Sequence, residues 1–457
     1  MLGMQAGGVR ELALAEKAPV ADERFVEALR RYGAQRDIVA LGVTTAEPFH
    51  DVADILRRRH AQGRKSRFEP ADIDRRVDPQ QLLPGARSLI SIAISYHSGG
   101  GGEPVRPPRT RRIDPALRPV PDGVYDRPDR LRGRRLRRQL PGGPVAGGAG
   151  PDPASSGAGG HRGWVSRHAW GRDYHKVVGE RLAALGRFIT DHFPGTQWRA
   201  YVDTGPPVDR AVAQRAGVGW IGKNCCLFVP GAGSLVVLGT LVTTLALPPD
   251  DPGPEPFQEC GDCDLCIRAC PTGALVGPGD LEPSLCLAEA TVLKGSIPLP
   301  LREPLGNRIY GCDTCQQVCP YNRDLPAAGS RAFLPVGPWD TGPDLQEIIG
   351  LTKREFREHY GDRASGWRGK SVIQRNAVYA LGNYADPETV PLLGRLLDED
   401  PRPAVRGAAA WALGRVGNAE ARRRLARAVA TETDPQVRAE IHQAMAHALP
   451  AVTGPAG

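Results

Sequence analysis

Cys260-Gly-Asp-Cys263-Asp-Leu-Cys266-Ile-Arg-Ala-Cys270-Pro271 decides how this chain is read, and Gly311-Cys312-Asp-Thr-Cys315-Gln-Gln-Val-Cys319-Pro320 repeats its ending. With Cys286 between them, the two runs use eight of the ten cysteines. Two sets of four thiolates are what a pair of 4Fe–4S clusters requires, and in two-cluster ferredoxins the cysteine before proline ligates the other run's cluster. On that pattern Cys260, Cys263 and Cys266 share one cluster with Cys319, and Cys286, Cys312 and Cys315 share the second with Cys270. Structural zinc also accepts Cys-x2-Cys pairs, but the Cys-x3-Cys-Pro endings favour clusters. Without a secretory signal, closely spaced thiols favour metal over disulfides. Cys225 and Cys226 are left over and read as small buried thiols, with a cofactor contact as the alternative. Clusters of this kind move single electrons, so the chain is expected to carry out redox chemistry.

Upstream of the cysteines, the pattern predicts a helix over 23–32 and strands over 38–43 and 88–95. It then predicts a helix over 173–192, a strand over 198–202, a helix over 208–216 and a strand over 234–247. Between the second strand and Gly163 the composition changes. Residues 99–162 are rich in Gly, Pro and Arg, and hold thirteen Arg against six Asp or Glu, which is nearly all of the net charge of +8. This reads as a disordered insertion, and its run Arg130–Arg138 reads as a solvated linker with RNA contact as the alternative. The basic balance is therefore weak support for a nucleic-acid face on the folded core. No apolar stretch is long enough to span a membrane, and no basic segment precedes an apolar core at the N-terminus, so a cytoplasmic location is expected.

Downstream, Arg375-Asn-Ala-Val-Tyr-Ala-Leu-Gly382 recurs as Arg406-Gly-Ala-Ala-Ala-Trp-Ala-Leu-Gly414, and more weakly from Arg438-Ala-Glu-Ile441. The starting arginines lie 31 and then 32 residues apart, and Asp386-Pro387, Asp400-Pro401 and Asp434-Pro435 punctuate the units. The period predicts a short HEAT-like helical array, either a cap or a docking surface for a macromolecule. Gly217-Val-Gly219-Trp-Ile-Gly222 formally matches a dinucleotide fingerprint, but it follows a helix and no acidic residue lies between Lys223 and Pro249. That site is rejected. Asp203 in Asp203-Thr-Gly-Pro-Pro207 projects from a strand end. It is either a turn former or a general acid whose pKa burial beside a cofactor has raised.

Several of these segments together carry a resemblance. Asp203-Thr-Gly-Pro, Ala216-Gly-Val-Gly-Trp-Ile-Gly-Lys-Asn224, Cys270-Pro-Thr-Gly-Ala-Leu275, Gly311–Asn322, Trp170-Gly-Arg-Asp-Tyr-His175 and Gly306-Asn-Arg-Ile-Tyr310 resemble epoxyqueuosine reductases, cobalamin-dependent enzymes of tRNA modification. The resemblance spans about 23–98 and 163–449. It implies reduction of epoxyqueuosine at the tRNA wobble position to queuosine, by cobalamin fed from two 4Fe–4S clusters and an external electron donor, in a monomeric enzyme. It implies that Asp203 is the proton donor and a cofactor contact. Arg210, Cys312 and Asp313 would lie against the corrin, Ser166 close to the cobalt, and Lys294 on the tRNA. Arg406, Arg415, Arg422, Arg423 and Arg424 are candidate phosphate contacts. No residue is transferred from 60–78, where the match is loose.

The expected fold is α+β. A flexible N-terminus (1–22) precedes an α/β cobalamin-binding catalytic domain (23–257) that carries the insertion. A ferredoxin-like two-cluster domain (258–330) and a linker with a HEAT-like α-α array (331–449) follow. The rival reading is a cobalamin and iron–sulfur reductase of another substrate, like the reductive dehalogenases. A plain electron carrier and a HEAT scaffold with incidental metal sites are more distant alternatives.

Overall fold

The alternation in Ser88-Leu-Ile-Ser-Ile-Ala-Ile-Ser95 organises the N-terminal domain. The computed structural model describes residues 20–97, 160–326 and 329–447. Within it this strand is buried along its whole length. It is β2 of a four-stranded sheet whose other members are β1 (Ala40–Thr45), β3 (Trp198–Tyr201) and β4 (Val236–Thr243), in the order β1-β2-β4-β3 and antiparallel throughout. Successive side chains point to opposite faces. Ile90, Ile92 and Ile94 pack with Val26 and Leu29 of α1 (Glu23–Ala34) and with Val177, Leu182, Leu185 and Ile189 from 174–192. Leu89 faces the other way, toward Ala53 and Leu56 of α2 (His50–Ala61) and Val212 of 209–215. The sheet is thus covered on both faces, with α3 (Tyr174–His192) beside α1 and α4 (Asp209–Arg215) beside α2. β1 begins two residues later than expected because Ile38 turns back, its N–H bonding to Gly33 O, and pairing starts at Ala40 opposite Ala93.

Two expected boundaries are corrected. Val20 bridges Ala246, and Asp22 caps α1 by accepting from Phe25 N, so the folded body begins before residue 23. Residues 160–162 belong to it as well. His161 Nε2 lies 2.9 Å from Asp386 Oδ2, and Arg162 bridges Asp344. The remainder of the expected insertion, from 99 to 159, lies outside the described residues.

The cysteine region contributes short elements rather than layers. Leu265–Ala269 and Thr314–Gln317 are brief helices, and the strand Arg308–Tyr310 pairs in parallel with Trp164–Val165, fastening this region to the catalytic domain. The array consists of α5 (Lys370–Tyr384), α6 (Val390–Glu399), α7 (Pro403–Val416), α8 (Ala419–Thr431) and α9 (Pro435–His447). Its three Asp-Pro turns work alike: Asp386, Asp400 and Asp434 each accept a backbone N–H two residues on, an Asx turn that helps to launch the next helix.

The first of the repeated arginines is structural. Arg375 is fully buried and donates to Leu293 O at 2.7 Å and to Gly295 O, while Asn376 donates to Thr291 O at 2.7 Å and Ile309 O at 2.8 Å. The Arg375 guanidinium, pulled down to about 10 by burial, stays charged at neutral pH. Its acceptors include Asn376 Oδ1 at 2.6 Å. Helix α5 therefore clamps the loop 291–297 to the array, within a core that runs from Trp164 through Ile309 to Ile441. Asn376→Ala orphans two carbonyls and deprives the buried cation of an acceptor, and is expected to cost about 3 kcal/mol. A lower urea midpoint checks this, and an unchanged midpoint contradicts it.

Candidate active site and cluster cradle

The eight cysteines of the two runs and Cys286 lie in two neighbourhoods. Burial, with Cys260, Cys319 and Cys263 nearby, pushes Cys266 up to about 12, and Cys319 senses Cys260 and Cys263. Burial likewise pushes Cys286 up to about 12, with Cys312 and Cys270 among its neighbours. Cys260, Cys263, Cys266 and Cys319 line one cavity together with Lys223 and Asn224. Among the described residues, no three His, Cys, Asp or Glu side chains close on a single ion. A cavity ringed by thiols suits a cluster better than zinc. Such buried thiols ionise only when a metal supplies compensating charge. Cys226, left over in the sequence, lies against Cys315, and Asn224 Nδ2 reaches Cys315 O at 3.4 Å. The glycine-rich segment serves this packing. A Cβ at Gly219 would meet Phe228 O at 2.0 Å, so protein backbone occupies the approach that a dinucleotide would need.

Next to the thiols opens a cleft of about 360 Å³. One wall is apolar, from Val236, Val237 and Leu238 of β4, and the rim is polar, with Arg76, Arg210, Asp203 and Asp209. Gln316, on the helix that carries Cys315, lines it too. An apolar wall and a polar rim fit a macrocycle with polar arms. Arg76 Nε is buried there with no hydrogen-bond partner among the described residues. The donor set of the cleft therefore fits a cobalamin.

Asp203 stands at the mouth of the cleft on left-handed backbone (φ 47°), its side chain 62% exposed. Tyr174 Oη donates to Asp203 Oδ2 at 2.5 Å, and His175 Nε2 lies 3.5 Å from the same oxygen. Asp173 caps α3 and also holds His175 Nδ1 at 2.8 Å. The expectation of a raised Asp203 pKa is not met. The charge of His175 beside it outweighs burial and holds the carboxyl below its ordinary value. Burial opposes the charge on His175, but the bond to Asp173 and the nearby Asp203 carboxylate prevail and raise the imidazole to about 9. At neutral pH the pair's proton sits on His175. The cleft's raised carboxyl is instead Asp209, pushed up to about 7 by burial although Thr240 Oγ1 donates to it at 2.6 Å.

Of the other sequence candidates, Arg210 lines the cleft and donates to Cys225 O. Ser166 and Asp313 are buried and bonded to each other behind His168, whose Nδ1 lies 2.7 Å from Ser166 Oγ, so neither lines the cleft directly. Cys312 packs toward the array-side core. Lys294 is exposed in the clamped loop, apart from the cleft. Arg406 pairs with Glu432, Arg415 with Glu303, and Arg423 and Arg424 with Glu420, so these four arginines are already engaged within the chain. Tyr174, His175, Arg76 and Asp209 had no assigned role. The first two stand inside the quoted Trp170–His175 segment, and Arg76 lies in the loosely matching stretch.

Residues 259–322 match the model of a 4Fe–4S double cluster binding domain, 369–446 that of HEAT repeats, and 149–204 that described as Epoxyqueuosine reductase QueG, DUF1730. An epoxyqueuosine reductase of Bacillus cereus is 34% identical over 423 residues, covering 93% of this chain and 97% of its own. The chain belongs to the epoxyqueuosine reductase family. A family member from Listeria monocytogenes is 37% identical over 415 residues, 91% of this chain and 95% of its own. A crystal structure of epoxyqueuosine reductase with an epoxyqueuosine-modified tRNA-Tyr stem loop superposes with a TM-score of 0.75 at 34% identity, covering 93% of this chain and 99% of that one. The family uses cobalamin with its two clusters. Structures of a catabolic reductive dehalogenase match at TM-scores of 0.25 to 0.36, a likeness that carries no argument.

Because the folded value of His175 is raised, its ion pairs stabilise the protein fully below the ordinary histidine pKa of about 6.5, and that contribution is lost as pH rises through about 9. An NMR titration of the His175 ring is expected to show a midpoint near 9, and a lower one in Asp203→Asn. An ordinary midpoint unaffected by that substitution contradicts the pairing.

Proposed function

We propose that this protein reduces the epoxide of epoxyqueuosine at the wobble position of a tRNA anticodon, giving queuosine and water. The conversion takes up two electrons and two protons. The clusters pass electrons singly from an external donor, and bound cobalamin supplies the low-potential, nucleophilic metal chemistry at the epoxide carbons. The chain's own residues position the reactants and manage the protons. Arg210 and Arg76 would hold the polar edge of the cofactor, with Val236, Val237 and Leu238 under its face. Ser166 and Asp313 brace this wall through His168.

The observation that carries the reading is Asp203 at the mouth of the cleft, bonded to Tyr174 and paired with His175, above a floor backed by the second cysteine run. In this proposal Asp203 is the catalytic residue that hands a proton to the departing epoxide oxygen, drawing it from protonated His175. A relative's structure has been described with its catalytic aspartate loop swung out of the active site. The exposed Asp203, on a loop opened by Gly-Pro-Pro, suits such a movable donor. Lys294 would meet tRNA phosphate. The enzyme would act as a cytoplasmic monomer; no helix among the described residues is long and apolar enough to cross a membrane.

An anaerobic turnover with reconstituted clusters, cobalamin, a strong reductant and epoxyqueuosine-bearing tRNA tests this, with the digested nucleosides weighed by mass spectrometry. Cobalamin-dependent loss of one oxygen is expected, and unchanged mass with a fully loaded enzyme refutes the substrate. Asp203→Asn is expected to keep both clusters and cobalamin while slowing turnover about 100-fold or more; a wild-type rate removes Asp203 from the chemistry. Turnover is also expected to decline as pH rises through about 9, where His175 gives up its proton. His175→Gln should lack that decline, and a variant that keeps it rules out His175 as the proton source.

A further inference from the structure

Two large aromatic side chains stand open to solvent and have no part in the chemistry described above. Phe68 is 42% exposed and Trp367 is 53% exposed. They come from opposite ends of the chain, Phe68 from the loop after α2 and Trp367 from the turn before α5. Their rings meet edge to face at 5.8 Å. The Arg368 guanidinium lies 4.7 Å from the Trp367 ring centroid and 5.3 Å from that of Phe68.

Both rings are held in place. Trp367 Nε1 donates to Tyr310 Oη at 3.1 Å. Ser66 Oγ donates to Glu289 at 2.9 Å, fixing the loop that carries Phe68. Arg368 Nε donates to Val292 O at 2.8 Å, which joins the pair to the loop of exposed Lys294. The platform also connects to the catalytic group. The Tyr310 ring stands 5.8 Å from His168, and His168 stands 6.1 Å from Tyr174, whose hydroxyl bonds Asp203. Rigid, exposed aromatics with adjoining cations are what an unstacked nucleobase and its phosphate require.

We propose that Phe68 and Trp367 form a stacking platform for the anticodon-loop nucleotide next to the modified one, with Lys294 on the neighbouring phosphate. This rests on the tRNA reading. A base drawn from the loop stack into a pocket leaves its neighbour with a bare face, and stacking on protein aromatics replaces what was lost. The sequence tolerance of such stacking suits an enzyme that must accept tRNAs with different neighbours.

The test measures binding of the cobalamin-loaded, cluster-containing enzyme to fluorescent anticodon stem-loops, in which a single abasic site is walked through the loop. Phe68→Ala is expected to weaken the intact stem-loop about ten-fold. One abasic position should weaken the wild type similarly, and the two changes together should cost no more than either alone. Trp367→Phe should keep affinity and Trp367→Leu should lose it, which separates stacking from support of Tyr310. Phe68→Ala binding with wild-type affinity, or losses that multiply at every abasic position, overturns the platform. A wild-type enzyme that binds no stem-loop overturns the substrate reading and the platform with it.

Discussion

The last cysteine of each run lies against thiols that the other run or Cys286 supplies, and the rest of the molecule depends on this juxtaposition. Cys319 belongs with Cys260, Cys263 and Cys266, and Cys270 belongs with Cys286 and Cys312. With ligands drawn from these two groups, neither cluster would be completed until both runs had folded together, and the metal sites would hold together a region with little layered secondary structure of its own. The segment between the runs contains the strand Arg308–Tyr310, which pairs with Trp164–Val165 and so places Ser166, His168 and the start of α3 beside the second run. Electron supply and proton supply converge on one cleft because the same backbone carries both.

Within the cleft, the location of a proton matters more than the identity of the acid. Asp203 alone would be an ordinary carboxylate. Bonded to Tyr174 and paired with His175, it is a carboxylate next to a stored proton. In the proposed reaction the arrangement would keep the donor charged before substrate arrives and leave the imidazolium as the reserve. Excluding water from the cleft raises the carboxylate's proton affinity, so occupation of the site moves the pair toward transfer. Asp209, with its raised pKa, faces the same cavity from α4 and adds no negative charge in its protonated form.

The features readable in the sequence were those fixed by local spacing. The cysteine runs, the Ser/Ile alternation of β2, the amphipathic α3 and the repeat of about thirty residues all follow from short-range periodicity. Contacts formed at long range were hidden. Tyr174 and His175 were quoted as part of a recognisable segment, but their contact with Asp203 spans 28 to 29 residues and a strand reversal. The repeat placed Arg375 and Arg406 at equivalent positions, yet Arg375 is a buried clamp on the loop 291–297, and Arg406, a candidate phosphate contact, is tied to Glu432. A periodic pattern records that a residue recurs but not which face of the array it occupies. The direction of the Asp203 shift was misread because it depends on a histidine that spacing does not bring near. The edges of the insertion were blurred for a similar reason, since His161 earns its place through Asp386, more than two hundred residues away.

The crossed ligation is the central structural claim, and iron content with EPR of anaerobically prepared variants tests it directly. Cys319→Ser is expected to leave about four irons per chain, the content of one intact 4Fe–4S cluster. Adding Cys260→Ser to that variant should remove no more iron, whereas adding Cys312→Ser should remove nearly all of it. The opposite pattern, in which Cys260→Ser empties the Cys319→Ser protein and Cys312→Ser leaves its iron untouched, would show that each run holds its own cluster and would contradict the account.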